Sequence, residues 1–114
     1  MPTELERAIR AQPEALRRLA GLELPEHVRR LGECSRVWLV GTGTSSHAAE
    51  LGAAMLARAG LEARHASSMQ FVLGAAGARL LPGDGAIVLS HTGSSVYARR
   101  ARASALETAA VTVS

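Results

Sequence analysis

The sequence predicts an α/β fold, with a parallel sheet of about four strands and helices on both faces, preceded by N-terminal helices. We expect this three-layer sandwich, of the flavodoxin-like kind, on two observations. Short unbroken apolar runs, typical of strands buried on both faces, alternate with segments whose apolar residues recur at helical spacing. The turns after the two most apolar runs are rich in glycine and hydroxyl residues, and each opens a helix. With 114 residues, 47% of them hydrophobic, the chain can form one domain with a core.

Residues 1–35 form a predicted helical lead-in. Thr3 and Glu6 have the spacing of a capping box, which places a helix start at Thr3. Apolar residues then recur at helical spacing, opposite a face of arginines: Leu5, Ile9, Leu16 and Leu19. Pro13 predicts a break or kink in this helix, because proline lacks the N–H that the interior of a helix needs. A second, short helix is predicted at Pro25–Leu31.

Residues 36–114 alternate between strands and helices. The predicted strands are Val37–Val40, Glu62–Ala66, Ala86–Ser90 and Ala110–Val113. The predicted helices are Ala48–Ala59, ended by Gly60, then Ser68–Ala75 and Ser95–Leu106. The printed sequence ends on a strand, and a parallel strand left bare would expose apolar residues and backbone groups. We therefore expect residues 36–114 to be the first portion of a longer domain, the alternative being a sheet completed by a partner chain.

The composition excludes several chemistries. The thirteen cationic residues are all arginines, so a lysine Schiff base, a lysine general base and a Walker-A lysine are excluded. The single cysteine, Cys34, excludes an internal disulfide and disfavours a zinc site of thiolates. The four histidines lack metal-ligand spacing, so we predict no metal and no cofactor.

The charge distribution and hydropathy bear on partners and location. The arginines cluster only at 99, 100 and 102, and aromatic residues make up 3% of the chain, so a nucleic-acid partner is not predicted. No apolar run approaches the roughly 20 residues of a membrane span. The sequence also shows no signal-peptide pattern. We expect a cytoplasmic protein with no membrane partner.

Two turns are the most informative feature of the sequence. Gly41-Thr-Gly-Thr-Ser45 and Ser90-His-Thr-Gly-Ser-Ser95 each follow a predicted strand and open a helix. At this edge of a parallel sheet, helix N-termini supply free N–H groups and a positive dipole end for an anion. Glycines admit a close backbone approach and hydroxyls add neutral donors, so the two turns together predict a phosphate site, with His91 as one candidate contact. The alternative is that these residues are ordinary helix caps and turn formers.

A dinucleotide site is a weaker interpretation of the first turn. Gly41 and Gly43 match the start of the G-x-G-x-x-G pattern, but Ser46 stands at its sixth position. The acidic residue about 20 positions on, Glu62, falls at the start of the next predicted strand, whereas a ribose-binding acid belongs at its end. A nucleotide-binding half-domain therefore remains a third possibility.

The turns resemble those of the sugar isomerase (SIS) domain family, which includes the isomerase domain of glucosamine-6-phosphate synthase. Val40–Ala49 is similar to the family's glycine-threonine-serine turn, and Ser90–Ser95 stands where the family has a serine-glutamine-serine-glycine-glutamate-threonine motif. Ala66–Phe71 is more loosely similar to an alanine-serine-glutamate-phenylalanine element. The resemblance covers nearly the whole chain.

The resemblance implies a phosphosugar site, with fructose 6-phosphate or glucosamine 6-phosphate as ligands. The implied binding residues are Gly43, Thr44, Ser45, Ser90, His91, Thr92, Gly93 and Ser95. His91 takes the place of the family's glutamine, and Ser94 replaces a glutamate, which puts substrate detail in doubt. The family's catalytic residues lie beyond the matched segment, so no catalytic residue is named.

The resemblance also implies a role and an assembly for the chain. Residues 36–114 would be the N-terminal portion of a SIS domain in an aldose–ketose isomerase or an amino-sugar-phosphate isomerase or deaminase. The alternative is a regulatory module that senses a sugar phosphate without converting it. Since family sites lie at dimer interfaces, a homodimer is expected.

Overall fold

The computed structural model describes residues 1–113. Its helices are α1 (Glu4–Ala20), α2 (Glu26–Arg29), α3 (Thr44–Arg58), α4 (Ser68–Leu73) and α5 (Val96–Thr108). Its strands are β1 (Val37–Gly41), β2 (Ala63–Ser67), β3 (Gly85–Leu89) and β4 (Val111–Val113). Two 3₁₀ turns, Arg30–Glu33 and Ala75–Gly77, follow α2 and α4. The predicted elements are all present, most with ends shifted by one to four residues.

All four strands are parallel, in the order β2-β1-β3-β4, which confirms the predicted fold class. In the register, Gly41 at the end of β1 lies opposite Ser67 of β2 and Leu89 of β3. The chain passes from β1 outward to β2 and then returns to add β3 on the other side of β1. The carboxyl ends of β1 and β3 therefore form a topological switch point, where open α/β sheets bind ligands.

Helices cover both faces of the sheet. Trp38 and Val40 of β1 face α4 and α5 in one buried cluster, whereas the alternate residues Val37 and Leu39 face α2 and α3 in another. Alanines form much of the helical side of both clusters: Ala49 and Ala53 in α3, Ala101 and Ala105 in α5. These small side chains, one helical turn apart, let the helices lie close to the sheet in a chain with few aromatic residues.

An ion pair joins the amino ends of β1 and β3, at the edge opposite the switch point. The Arg36 guanidinium donates to both carboxylate oxygens of Asp84, at 2.7 and 3.3 Å, and lies over the Trp38 ring at 5.4 Å from its centroid. The Leu81 backbone N–H donates a third hydrogen bond to this carboxylate at 2.9 Å. Burial alone would raise the pKa of Asp84, but the hydrogen bonds from Arg36 and Leu81 outweigh it and hold that pKa below its usual range.

Helix α1 starts as predicted but passes through Pro13 without ending. The capping box is confirmed: the Glu6 carboxylate accepts from the Thr3 N–H at 2.7 Å, and the Thr3 hydroxyl accepts from the Glu6 N–H at 3.1 Å. Of the predicted break or kink at Pro13, the break is wrong, because one helix continues from Glu4 to Ala20. Proline removes one hydrogen bond, to the Ile9 carbonyl, at a cost of about 3 kcal/mol, and the capped helix formers on either side offset it.

Helix α1 buries none of its residues against the rest of the described chain. Its apolar stripe is exposed at Leu5, Ile9, Leu16 and Leu19. Over residues 1–113, no helix combines the length and apolar character needed to cross a membrane.

Candidate functional site

A cleft of about 220 Å³ lies at the switch point, between the turn after β1 and the loop after β3. It is lined by Thr42, Thr44, Ser45, Leu89, Ser90, His91, Thr92, Ser95 and Ala98. Six of the eight predicted site residues therefore meet around one cleft, although they come from two segments more than 40 positions apart. The sheet register causes this convergence, because it places Gly41 and Leu89 side by side at the ends of β1 and β3.

The two predicted glycines, Gly43 and Gly93, do not line this cleft. Gly43 precedes α3 with φ of 61° and ψ of −127°, and Gly93 has φ of 71°, so both have backbone conformations that L side chains rarely adopt. Gly93 lines an adjoining cleft, described below. The structure thus gives both glycines a conformational role in shaping the turns.

The first turn presents the N-terminus of α3 to the cleft. No side chain caps this 15-residue helix in the described chain, whereas Thr3, Ser67 and Ser95 cap α1, α4 and α5. The Ser45 and Ser46 N–H groups donate to the Thr42 and Gly43 carbonyls at 3.1 and 3.0 Å, so the positive end of the α3 dipole is the main contribution of this helix to phosphate binding. Thr44 and Ser45, the first two residues of α3, add hydroxyls at the same place.

Gly41 sets how closely α3 approaches the end of β1. A Cβ atom at this buried glycine would lie 2.5 Å from the Ser45 carbonyl carbon and oxygen, and 2.8 Å from the Ser45 Cβ. Real Cβ atoms do not approach backbone this closely, so only glycine is accommodated. Glycine is therefore needed at position 41 because β1 and α3 approach closely there, not because of a turn conformation. This close approach fixes the positions of Thr44 and Ser45.

The second loop is organised by its own hydroxyls. The Ser90 Oγ accepts from the Gly93 N–H at 2.8 Å, and the Ser95 Oγ accepts from the Ala98 N–H at 3.2 Å as the cap of α5. The Thr92 and Ser94 hydroxyls lie 2.6 Å apart. A serine hydroxyl that accepts from a backbone N–H keeps its own hydrogen to donate, so Ser90 and Ser95 are oriented donors for an anion.

The cleft is electrically almost neutral. Among the described residues that line it there is no arginine, aspartate or glutamate, and His91 is the one titratable group. An anion here would be bound by hydroxyls, backbone N–H groups and a helix dipole. The arrangement can bind a phosphoryl group, but its described lining offers no carboxylate for proton transfer.

Three residues that line the cleft are not among the predicted binding residues: Thr42, Leu89 and Ala98. Thr42 stands between the two glycines of the first predicted turn, so its position in the motif was a usable signal. Leu89 and Ala98 are apolar, and only the register of β3 and the direction of α5 bring them to the cleft.

Three comparisons with known proteins bear on this fold. No protein-family model matches the chain, and no curated protein matches it. Among solved structures, the chain is similar to the tagatose-6-phosphate ketose/aldose isomerase of Escherichia coli, with a TM-score of 0.67 and 22% sequence identity. The match covers 96% of this chain and 32% of the isomerase. It supports a sugar-isomerase-like fold, and does not support the narrower resemblance to glucosamine-6-phosphate synthase. The chain thus shares the α/β fold of about a third of a ketose/aldose isomerase.

Proposed function

We propose that this chain binds a sugar phosphate, with the phosphoryl group in the cleft between the first turn of α3 and the loop after β3. One observation carries the proposal: hydroxyls from two segments and an uncapped helix N-terminus converge at the switch point. The described lining of the cleft contains the neutral donors that a phosphate needs and no acidic group that would repel it.

The fold supports a place for this site in a larger enzyme. The similar structure is, by its name, a tagatose-6-phosphate ketose/aldose isomerase, and this chain corresponds to 32% of its length. We therefore propose that residues 36–114 are the N-terminal portion of a SIS domain in an aldose–ketose or amino-sugar-phosphate isomerase or deaminase. Fructose 6-phosphate and glucosamine 6-phosphate are the first ligands to test.

A sensing role is the second candidate. The observation that favours it is that the described lining contains no carboxylate, which leaves the His91 imidazole as its one side chain suited to act as a general base for moving a proton between sugar carbons. Binding is common to both candidates. Conversion of the bound sugar separates them, and the enzyme candidate requires either His91 or a group from outside this cleft as the base.

We also propose that α1 pairs two copies of the chain. Its stripe of four large apolar residues is 53–69% exposed, an arrangement that a second apolar surface would stabilise. Its first turn carries Glu4 and Glu6 and its last turn Arg17 and Arg18. An antiparallel pair of α1 helices would bring the acidic turn of each against the basic turn of the other, so the surface is complementary to itself.

Calorimetric titration with fructose 6-phosphate and glucosamine 6-phosphate tests the binding proposal. We expect saturable binding, weakened about 10- to 100-fold by Ser45→Ala, since a hydrogen bond to a charged group contributes about 1.5–3 kcal/mol. Ser35→Ala is the matched control: Ser35 is exposed at the opposite edge of the sheet and should leave the affinity unchanged. If circular dichroism shows a folded sample and neither sugar binds, the proposal is wrong.

A further inference from the structure

A second cleft, of about 460 Å³, adjoins the first on the α5 side. It is lined by Val88, Ser90, Gly93, Ala98, Arg99 and Arg102. Ser90 and Ala98 line both clefts, so the two spaces meet at the end of β3. The first cleft alone is smaller than the roughly 300–1,000 Å³ of typical ligand sites. A ligand with its phosphoryl group in the first cleft therefore has room to extend past Ser90 into the second.

The second cleft differs from the first in charge. Arg99 and Arg102 are exposed and three positions apart on α5, so they share one face of that helix. Guanidinium groups present a planar set of donors that matches a carboxylate or a phosphate. The neutral first cleft and the two arginines of the second cleft thus suit two anionic groups at opposite ends of one molecule.

The arginines are not explained by the stability of α5. This helix carries Arg99, Arg100 and Arg102, and its sole acidic residue is Glu107. Like charges three or four positions apart destabilise a helix, and cations gain from the dipole at its C-terminus, whereas none of these three lies in the last turn of α5. Interactions within the helix therefore do not account for the three arginines.

We propose that the preferred ligand is a sugar phosphate with a second anionic group, held by Arg99 and Arg102 while the phosphoryl group occupies the first cleft. The second group is a phosphate or a carboxylate, since both fit a guanidinium pair. This inference rests on the proposed function: it specifies the substrate class of the same site. It makes Arg99 and Arg102 specificity residues with no part in holding the first phosphate.

Calorimetry with three ligands at about 0.15 M salt tests the inference: fructose 6-phosphate, fructose 1,6-bisphosphate and 6-phosphogluconate. We expect the bisphosphate or the sugar acid to bind at least about tenfold tighter than the monophosphate, as one added charge-assisted contact allows. Whichever of the two shows the gain identifies the second group as phosphate or carboxylate.

Paired variants locate the effect. The double substitution Arg99→Gln with Arg102→Gln should abolish the preference and leave the affinity for fructose 6-phosphate unchanged. Arg100→Gln is the matched control, because Arg100 lies between them in sequence but lines neither cleft. It should keep the preference; an equal loss there would mean general charge attraction and overturn the inference. Equal affinities for all three ligands in the parent chain would refute this inference alone, whereas no binding of any would refute the proposed function with it.

Discussion

Removing the Asp84 carboxylate should destabilise the fold severely, and the structure indicates by how much. Asp84 is 2% exposed and accepts three hydrogen bonds, two from Arg36 and one from the Leu81 N–H. Breaking a buried ion pair by deleting one partner costs about 3–5 kcal/mol. Because the Arg36 side chain is 19% exposed and can be partly rehydrated, we expect a value near the lower end of that range, about 3 kcal/mol, for Asp84→Ala.

The assay is urea unfolding followed by circular dichroism. With a slope of about 1.5 kcal/mol per molar urea, a loss of 3 kcal/mol lowers the midpoint by about 2 M. Asp84→Asn keeps the shape and an acceptor for Leu81, so it should lose less and remain folded if the alanine variant does not. The matched control is Glu62→Gln, which breaks the exposed pair with Arg64 at 3.3 Å and should cost under about 1 kcal/mol.

The same carboxylate sets a pH dependence. Because the folded pKa of Asp84 lies below its usual range, its contribution to the free energy of unfolding is fully present above the pKa of the unfolded carboxyl. That contribution is lost as the pH falls through the folded pKa. Asp84→Asn should therefore flatten the acid limb of the stability curve. The reasoning is refuted if Asp84→Ala shifts the midpoint no more than Glu62→Gln, or if the acid limb is unchanged in Asp84→Asn.

Three further predictions follow from other parts of the molecule. Gly41→Ala places a Cβ against the Ser45 backbone and should lower stability by about 1–3 kcal/mol and weaken sugar-phosphate binding. Gly32→Ala, with no atom within 4 Å of the added Cβ, should do neither in the same urea and calorimetric assays. Leu16→Asp on α1 should convert a dimer to a monomer in light scattering. Leu51 on α3 is equally exposed, and Leu51→Asp should leave the dimer intact. A parent chain that is already monomeric contradicts the pairing of α1. In the Leu16→Asp background, Pro13→Ala should slow amide hydrogen exchange in α1, because it removes the helix cost of proline. The global urea midpoint should not move, since α1 buries none of its residues in the described chain. An unchanged exchange rate would count against the cost assigned to Pro13.

The sequence predicts the strands and the site turns well because both depend on local patterns. An unbroken apolar run such as Val37–Val40 indicates a doubly covered strand, and a glycine-hydroxyl turn after it indicates an opening helix. The Pro13 error has a different source, since a proline penalty is a local cost that neighbouring helix formers can offset. Sequence patterns do not predict which apolar residues line the cleft, because Leu89 and Ala98 reach it through the register of β3 and the direction of α5.

The arginine cluster illustrates the same limit. Arg99 and Arg102 are visible in the sequence as part of the only cluster of cations, where they bear on the question of nucleic acid. Their placement beside Ser90 depends on how α5 crosses β3, a tertiary relation that periodicity does not contain. Six of the eight predicted binding residues line one cleft, and their binding of a sugar phosphate stays a prediction.

The close approach of Gly41 to Ser45 has a consequence for the time course of binding. With no space between β1 and the start of α3, the first turn cannot rearrange without moving the sheet, so its donors are already in place before a ligand arrives. The loop after β3 is held by its own hydrogen bonds but is not packed in this way, because a Cβ added at Gly93 would meet no atom within 4 Å. We expect rapid capture on the fixed turn and a slower, concentration-independent step as the loop settles around the bound ligand. The glycine that leaves no room for a side chain would thus determine which half of the site acts first.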